Sequence, residues 1–465
     1  MVVVFILGYT AIALEHPIKV DKAASALLLG MSMWVLYIIG RVEILSMVND
    51  AGEFVSAAWR HYVHSGGHDV NNPEIMREFI VEHEVLHHLA EISTILFFLL
   101  GAMTIVEAVD QHQGFKLITD RIKTTNKVKL LWITSILTFF MSAALDNLTT
   151  TIVMVALLRK LIADKESRWF FASMVVLAAN AGGAWSPIGD VTTIMLWIGG
   201  QVTTVNIILK VFVPSLITMV IPLIILSFIM KGTVERPKLD ENNNKEFTTS
   251  GERKLLLIMG VCGLLFVPVF KTLTHLPPYM GMLISLSIIW ITTEILHRNK
   301  PIEDRRKLTI LGVLRKVDVP TVFFFLGILT AVSSLQSAGQ LGILADYLNK
   351  NVGDIYIINI IIGILSSIVD NVPLVAGAMG MYEIAPLGAT GYDAFFVVDG
   401  IFWEFLAYCA GTGGSILIIG SAAGVAAMGM EKIDFIWYMK KISLLALVGY
   451  FAGAAAYYFQ VQLTH

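Results

Sequence analysis

Two octapeptides decide how this chain folds: Gly182-Gly-Ala-Trp-Ser-Pro-Ile-Gly189 and, further on, Gly413-Gly-Ser-Ile-Leu-Ile-Ile-Gly420. Each lies inside an apolar stretch, opens on a Gly-Gly pair and returns to Gly six residues later. Glycines let a chain unwind and Pro187 removes a backbone donor, so a helix passing through here breaks. Close packing through small residues is the plainer account of an isolated Gly pair. The repeated spacing and the proline favour broken helices instead. At membrane depth, unwound backbone is tolerated only where it lines a cavity or binds something.

Composition supplies the membrane. Of 465 residues, 56% are hydrophobic and 15% charged, against roughly a quarter charged in soluble domains, and mean hydropathy is +0.73. Apolar runs recur at 92–106, 255–270, 279–293, 355–369 and 442–459, the pattern of a polytopic helical membrane protein. Met1–Leu14 lacks the charged start and small-residue cleavage site of a signal peptide and reads as a first, short membrane segment. A net charge of −3 offers no field for nucleic acid. Cys262 and Cys409, both in apolar segments, give neither a disulfide framework nor a thiolate cage.

Lys and Arg in short loops stay cytoplasmic. Residues 115–130 carry five, 159–168 four, 231–254 six and 297–316 seven, so these loops face the cytoplasm. Gly199–Val202 and 381–395 carry none, and Lys271 is alone between Phe270 and Tyr279, so these face outward. The stretch 130–158 therefore leaves and returns on one side with about 29 residues, where two full spans need roughly 40. It reads as a re-entrant hairpin turning at Asp146-Asn147. Residues 355–380 form its counterpart, turning at Asp370-Asn371 and entering from outside. Ser142-Ala-Ala-Leu-Asp-Asn147 aligns without gaps on Ser366-Ser-Ile-Val-Asp-Asn371. Two matching blocks in one order make a repeat, and opposite loop orientations make it inverted, the sequence pointer to a secondary transporter with its site at the bilayer midplane.

The chemistry sits on carboxylates. Asp146, Asp190, Asp370 and Glu404 fall within apolar segments, each costing roughly 2.5–3.5 kcal/mol on insertion scales. An ion pair is the ordinary compensation, yet no Lys or Arg occurs in 130–158, 169–208 or 353–430. Either the acids are protonated or they hold a cation. Asn147, Thr149, Thr150 and Thr151 follow the first Asp; Asn180, Thr192 and Thr193 bracket Asp190; Asn371, Thr412 and Ser415 serve the second half. Hydroxyl, amide, carboxylate and carbonyl oxygens suit a small hard cation such as sodium. Burial also raises carboxylate affinity for protons, so one Asp accepting either a proton or sodium would act as an exchanger.

At these residues the chain resembles a known family. The runs SAALDNLTTTIVM (142–154), NAGGAWSPIGDVTTIML (180–196), SSIVDNVPLVAGAM (366–379) and AGTGGSILIIGSAAGVAAMG (410–429) resemble NhaD-type sodium/proton antiporters of the ion transporter superfamily. The likeness begins at GYTAIALEHPIKVDKAA (8–24) and extends to the last helix. It implies an all-α fold of inverted repeats and a homodimer whose protomers carry scaffold and transport domains moving elevator-fashion. Scaffold helices are expected in 1–129, with a His-rich external segment at 50–88, and in 255–352. Transport residues are expected in 130–230 (hairpin 130–158, broken helix 169–198) and 353–465 (hairpin 355–380, broken helix 396–430), with a cytoplasmic linker at 231–254. The resemblance further implies that Asp146, Asn147, Asn180, Asp190, Thr192 and Thr193 handle ions with Ser367, Asp370, Asn371, Thr412 and Ser415. Sodium is expected at Asp146, Asn147, Asn180 and Asp190, with Ser142, Thr150 and Glu404 as secondary candidates. Asp190 has Ser421 as its repeat mate, so the main coupled site is placed nearer the first half.

Residues 61–91 hold six of the eleven histidines. His83-Glu84-Val-Leu-His87 matches H-E-x-x-H, a zinc-protease motif on a helix, but it precedes the apolar run and has no third ligand nearby. Glu84, His87, His88 and Glu91 also follow i, i+3, i+4, i+7 spacing and make one polar stripe, read either as a pH sensor or as a solvated face among eight acids and three basic residues in 41–88. Glu107 and Lys210 are expected to snorkel. The leading function is exchange of Na+, with Li+ as a further cargo, for H+ in the bacterial inner membrane, without a cofactor or catalytic residue. An anion or dicarboxylate symporter is the alternative, and an intramembrane zinc protease the remote one.

Overall fold

Helices start where the sequence supplies caps. Asp21, Asn126, Asp164 and Asp318 each accept a backbone N–H of the turn they precede, and Thr249 with Glu252 forms a reciprocal capping box. The computed structural model describes every residue except Leu14, Asp50, Ala51, Gly67, His68, Asp120, Arg121, 238–247 and His465. Parts of the expected linker 231–254 and of the His-rich segment 50–88 thus lie outside the described residues. In chain order the principal helices are α1 (Val2–Ala13), α2 (Lys22–Ile39), α3 (Leu86–Gln111), α4 (Lys127–Leu145), α5 (Asn147–Leu161), α6 (Lys165–Ala184), α7 (Val191–Ile198) and α8 (Thr204–Ile229). There follow α9 (Ser250–Thr274), α10 (Pro278–His297), α11 (Val319–Ser337), α12 (Ile355–Leu365), α13 (Asn371–Met381), α14 (Ile401–Gly413), α15 (Ala422–Glu431) and α16 (Ser443–Thr464).

Among the described residues eight helical segments are long and apolar enough to cross a membrane: α2, Pro73–Gln111 ending in α3, α4, α8, α9, α10, α11 and α16. This is an integral membrane protein. The chain forms two compact units, Met1–Phe97 with Asp318–Ile358 and Val372–Pro386, and Phe98–Val317 with Asn359–Asn371 and Leu387–His465. Residues 98–129 and 255–317, grouped with the scaffold from sequence, fall in the second unit with the broken helices.

In the first unit α2 and α11 meet at glycines, because a Cβ on Gly30 would overlap the Gly327 carbonyl and one on Gly327 the backbone of Ala26. Trp34 donates to the Thr330 carbonyl at 2.9 Å and Tyr37 to that of Ser337 at 3.1 Å. The polar stripe divides here. Residues 79–85 wind as a π-helix before α3, and Glu84 and His88 face inward, with side chains 9% and 10% exposed. His88 meets the Ser337 hydroxyl at 3.0 Å and Glu91 at 3.2 Å. His87 stays outside, 3.3 Å from Glu91. His83 packs against the Tyr62 ring at 4.8 Å, so His83 and His87 serve different neighbours.

In the second unit α6 is buried from Phe171 to Ala184 and α14 from Phe402 to Gly413. Their small residues, Ala and Gly, allow this burial at close helix separation. Around them one set of contacts occurs twice. Ser142 donates to the Ala179 carbonyl at 2.6 Å, and Ser366 to that of Ala410 at 2.9 Å. A Cβ on Gly182 would overlap the carbonyl of Phe139, and one on Gly413 that of Gly363. A Cβ on Gly189 would stand 2.7 Å from the Ser142 carbonyl, and one on Gly420 2.5 Å from that of Ser366. The aligned blocks are therefore equivalent in packing as well as in letters. Both helices break where the glycines predict, α6 from α7 over 185–190 and α14 from α15 over 414–421.

An ion trio closes this unit: Glu431, at the end of α15, accepts Arg159 Nε at 2.7 Å and Arg168 Nε at 2.9 Å. Trp169 adds a bond to the Glu431 carbonyl at 3.0 Å, so the α5–α6 junction and α15 hold together.

Gly182→Ala and Gly413→Ala should each lower stability by about 1–3 kcal/mol through overpacking against backbone. Gly429→Ala, which meets nothing within 4 Å, should leave it unchanged. Thermal unfolding of the purified protein in detergent checks all three.

Candidate functional site

Three helix starts built on side-chain caps assemble the site. Asp146 links α4 to α5 with φ +93°, a left-handed conformation that costs a non-glycine residue roughly 1–3 kcal/mol. Its carboxylate turns onto α5, taking the Thr149 N–H and the Thr149 hydroxyl at 2.8 Å each. Asp190 starts α7 in the same manner, taking the Thr192 N–H at 2.9 Å and the Thr192 hydroxyl at 2.8 Å on Oδ1. Ser421 is the corresponding cap of α15 and accepts the Gly424 N–H at 3.1 Å. Asp190 and Ser421 share φ −145°, so α7 starts on an acidic cap and α15 on a neutral one in the same backbone conformation. Helix N-termini favour the negative form of such caps.

An amide relay joins them. Asn147 Nδ2 donates to Asp190 Oδ2 at 2.6 Å and to Asn180 Oδ1 at 3.1 Å. Asn180 Nδ2 in turn donates to Ser415 Oγ at 2.8 Å and Ser421 Oγ at 2.9 Å. Both hairpin–helix sets thus meet on one side chain, Asn180, which is fully buried. Asp146 and Asp370 both lie within electrostatic reach of Asp190. Among the described residues no Lys or Arg pairs with Asp146 or Asp190, and the bonds that hold them come from amide, hydroxyl and backbone groups. Such a set is oxygen-rich and negative, with donors that a competing cation could displace.

The remaining candidates are less directly engaged. Thr193 donates to the Ala184 carbonyl at 3.2 Å, Thr412 to that of Tyr408 at 2.6 Å and Ser367 to that of Ile364 at 2.7 Å. These hydroxyls brace helix ends. Thr150 Oγ1 and Asn371 Nδ2 are buried without a hydrogen-bond partner, which leaves polar capacity in the hairpins. Glu404 belongs elsewhere: it accepts Asn206 Nδ2 and, at 2.6 Å, the Tyr457 hydroxyl. Lys210 lies within its electrostatic reach, so Glu404, unlike Asp146 and Asp190, has a basic neighbour among the described residues. Glu107 takes Gln111 Nε2 at 2.6 Å, an anchored position in place of a purely snorkelling one. Two groups escaped the sequence reading, Asn206 and Tyr457. Ser421 was visible as the mate of Asp190, whereas nothing in the one-dimensional pattern signals Asn206 or Tyr457.

Residues 7–398 match the family described as CitMHS, citrate transporter. The chain is similar to sodium/proton antiporter 1 of Arabidopsis thaliana, 44% identical over 98% of this chain and 71% of that protein. It is 42% identical to sodium/proton antiporter 2 of the same plant over 98% of both. It is 28% identical to the Na(+)/H(+) antiporter NhaD of Vibrio cholerae over 96% of this chain and 88% of that one.

Asn147→Ala would leave Asp190 Oδ2 and Asn180 Oδ1 without that donor. It should cost about 1–3 kcal/mol, read as a lower unfolding temperature than that of the parent protein under the same conditions.

Proposed function

Because the chain belongs to the CitMHS citrate-transporter family and has NhaD-type sodium/proton antiporters as homologues, we propose that it is a secondary transporter exchanging Na+ for H+ at Asp190. The observation that carries this reading is the Asp190 carboxylate, buried, capping a broken helix and held by Asn147 and Thr192 with no basic partner among the described residues. A cation and a proton each neutralise it, and neither tolerates the other on the same oxygens. Asn147, Asn180 and the hydroxyls of Thr192 and Ser415 supply further oxygens, and Asp146 adds a second negative charge nearby. The breaks in α6–α7 and α14–α15 leave backbone carbonyls outside helical bonding, a ready complement for a hard cation.

The finer features of the proposal follow from the family resemblance and from the loop charges. The repeated contacts support two equivalent halves, and the basic loops support their opposite orientation. Elevator movement of the transport residues, a homodimer and Li+ as a second cargo complete the reading. We place the protein in an energised membrane, the bacterial inner membrane being the expected one, because exchange needs a standing gradient.

The family's description keeps an anion symporter in view as the second reading. Asp146 and Asp190 oppose it, since they already occupy the helix N-termini that an anionic substrate would use and meet it with like charge.

Everted vesicles with an imposed acid interior should lose their gradient on addition of Na+. Asp190→Asn should slow that loss roughly 100-fold, equivalent to about 3 kcal/mol, in protein that still folds; Asp146→Asn should do likewise. Undiminished exchange in both variants would refute the site, and dissipation by citrate instead of Na+ would establish the symporter.

A further inference from the structure

Far from the aspartates in sequence, two histidines form a buried pair. His112 follows the last turn of α3 and His297 ends α10, and both are fully buried. Their rings stack with centroids 5.0 Å apart, and their Nε2 atoms lie 2.8 Å from each other. At that distance the two nitrogens share one proton.

The neighbours fix which proton is where. His112 Nδ1 lies 2.7 Å from the Ala108 carbonyl, and a carbonyl only accepts, so Nδ1 bears hydrogen. In a neutral ring His112 Nε2 is then the acceptor, and His297 Nε2 carries the shared hydrogen. This leaves His297 Nδ1 bare. It is buried without a hydrogen-bond partner and faces Glu252 Oε1 at 3.9 Å. The other oxygen of Glu252 takes Lys300 Nζ and the Thr249 N–H, each at 2.8 Å.

The remaining charged groups are engaged elsewhere or act at a distance. Lys300 acts electrostatically on both rings and Glu252 opposes it. Arg253 is turned onto Thr248, whose hydroxyl reaches the His112 carbonyl at 3.2 Å. Arg305 holds Glu294, and Lys316 holds Gln111. On the element bearing His112, Asp110 lies within reach of Lys316 and Lys160, and Glu107 holds Gln111. The line His112–His297–Glu252 does not converge on a point as metal ligands must, because His297 presents different nitrogens to its two neighbours.

We propose that His297 Nδ1 is a proton-binding site which, when loaded, draws the Glu252 carboxylate into a hydrogen bond and clamps the start of α9 to the end of α10. Proton uptake turns the pair into a single imidazolium beside a carboxylate, a charge-assisted contact stronger than any the neutral ring makes. The three groups flank the basic stretches 115–130, 231–254 and 297–316, so the site samples the pH of the face those loops occupy, the cytoplasmic one by the positive-inside rule.

The test is a nitrogen NMR titration of the full chain, 15N-labelled at histidine, in lipid bilayers between about pH 8 and about pH 3, a window carried to the acid side because burial disfavours a charged ring. At high pH the parent protein should show an imine-type Nδ1 signal that vanishes on acidification and is missing in His297→Gln. Glu252→Gln should lower its midpoint by about one unit, a tenfold change in proton affinity. A midpoint unmoved in Glu252→Gln, or an Nδ1 already protonated at high pH, overturns the proposal. Should His297→Gln fail to fold, Glu252→Gln decides alone. The effect on transport rests on the exchange reading: both variants should shift the pH dependence of Na+-driven proton flux when only the pH on the basic-loop face is varied. Intact titration in a protein without exchange would reject antiport and keep the proton site, whereas exchange with a Glu252-insensitive midpoint would do the reverse.

Discussion

Asp146 and Asp190, placed in an apolar interior with no Lys or Arg paired to them among the described residues, set the terms for the second unit. Their charge must be met by oriented dipoles, and the protein supplies these by ending helices where the acids sit. Asp146 and Asp190 each cap the helix that follows, so helix start and acid site are one feature. The polar hairpin residues then stand in for the solvent that the bilayer excludes.

Broken helices require backbones to come closer than side chains permit. The glycines at 182, 189, 413 and 420 answer that requirement, with carbonyls of the neighbouring hairpin lying where a Cβ would be. The same residues that let the helices unwind thus also press each break against a hairpin, and Asn180 bonds to both halves at their meeting point. The Glu431 trio repeats this cross-connection at the far end of α15. Binding and support are therefore built from one set of contacts.

Much of the site was legible in the sequence because its ingredients violate ordinary membrane composition. A lone Asp in an apolar run, or Gly-Gly followed by Gly-x with a Pro, stands out without any knowledge of the fold. The alignment of 142–147 on 366–371 and of 182–189 on 413–420 drew attention to residues that the structure brings to equivalent contacts. The histidine stripe keeps the contacts its spacing implies, Glu84 to His88 to Glu91 to His87, but Glu84 and His88 lie inside while His87 and Glu91 lie outside, a difference in burial that spacing along the chain does not encode.

Sequence by itself determined the membrane-spanning class, the helix breaks and the stranding of Asp146 and Asp190, because hydropathy, Gly/Pro content and the absence of nearby Lys or Arg are properties of a single strand of letters. Only the tertiary structure decided who compensates whom. Asn147 reaches Asp190 from 43 residues away, Asn180 reaches Ser421 across 241, and Tyr457 serves Glu404 from 53. The pairing of His112 with His297 spans 185 residues. Such partners are chosen by directional bonds of about 3 Å, and no periodicity along the chain encodes which side chains the fold brings to that distance.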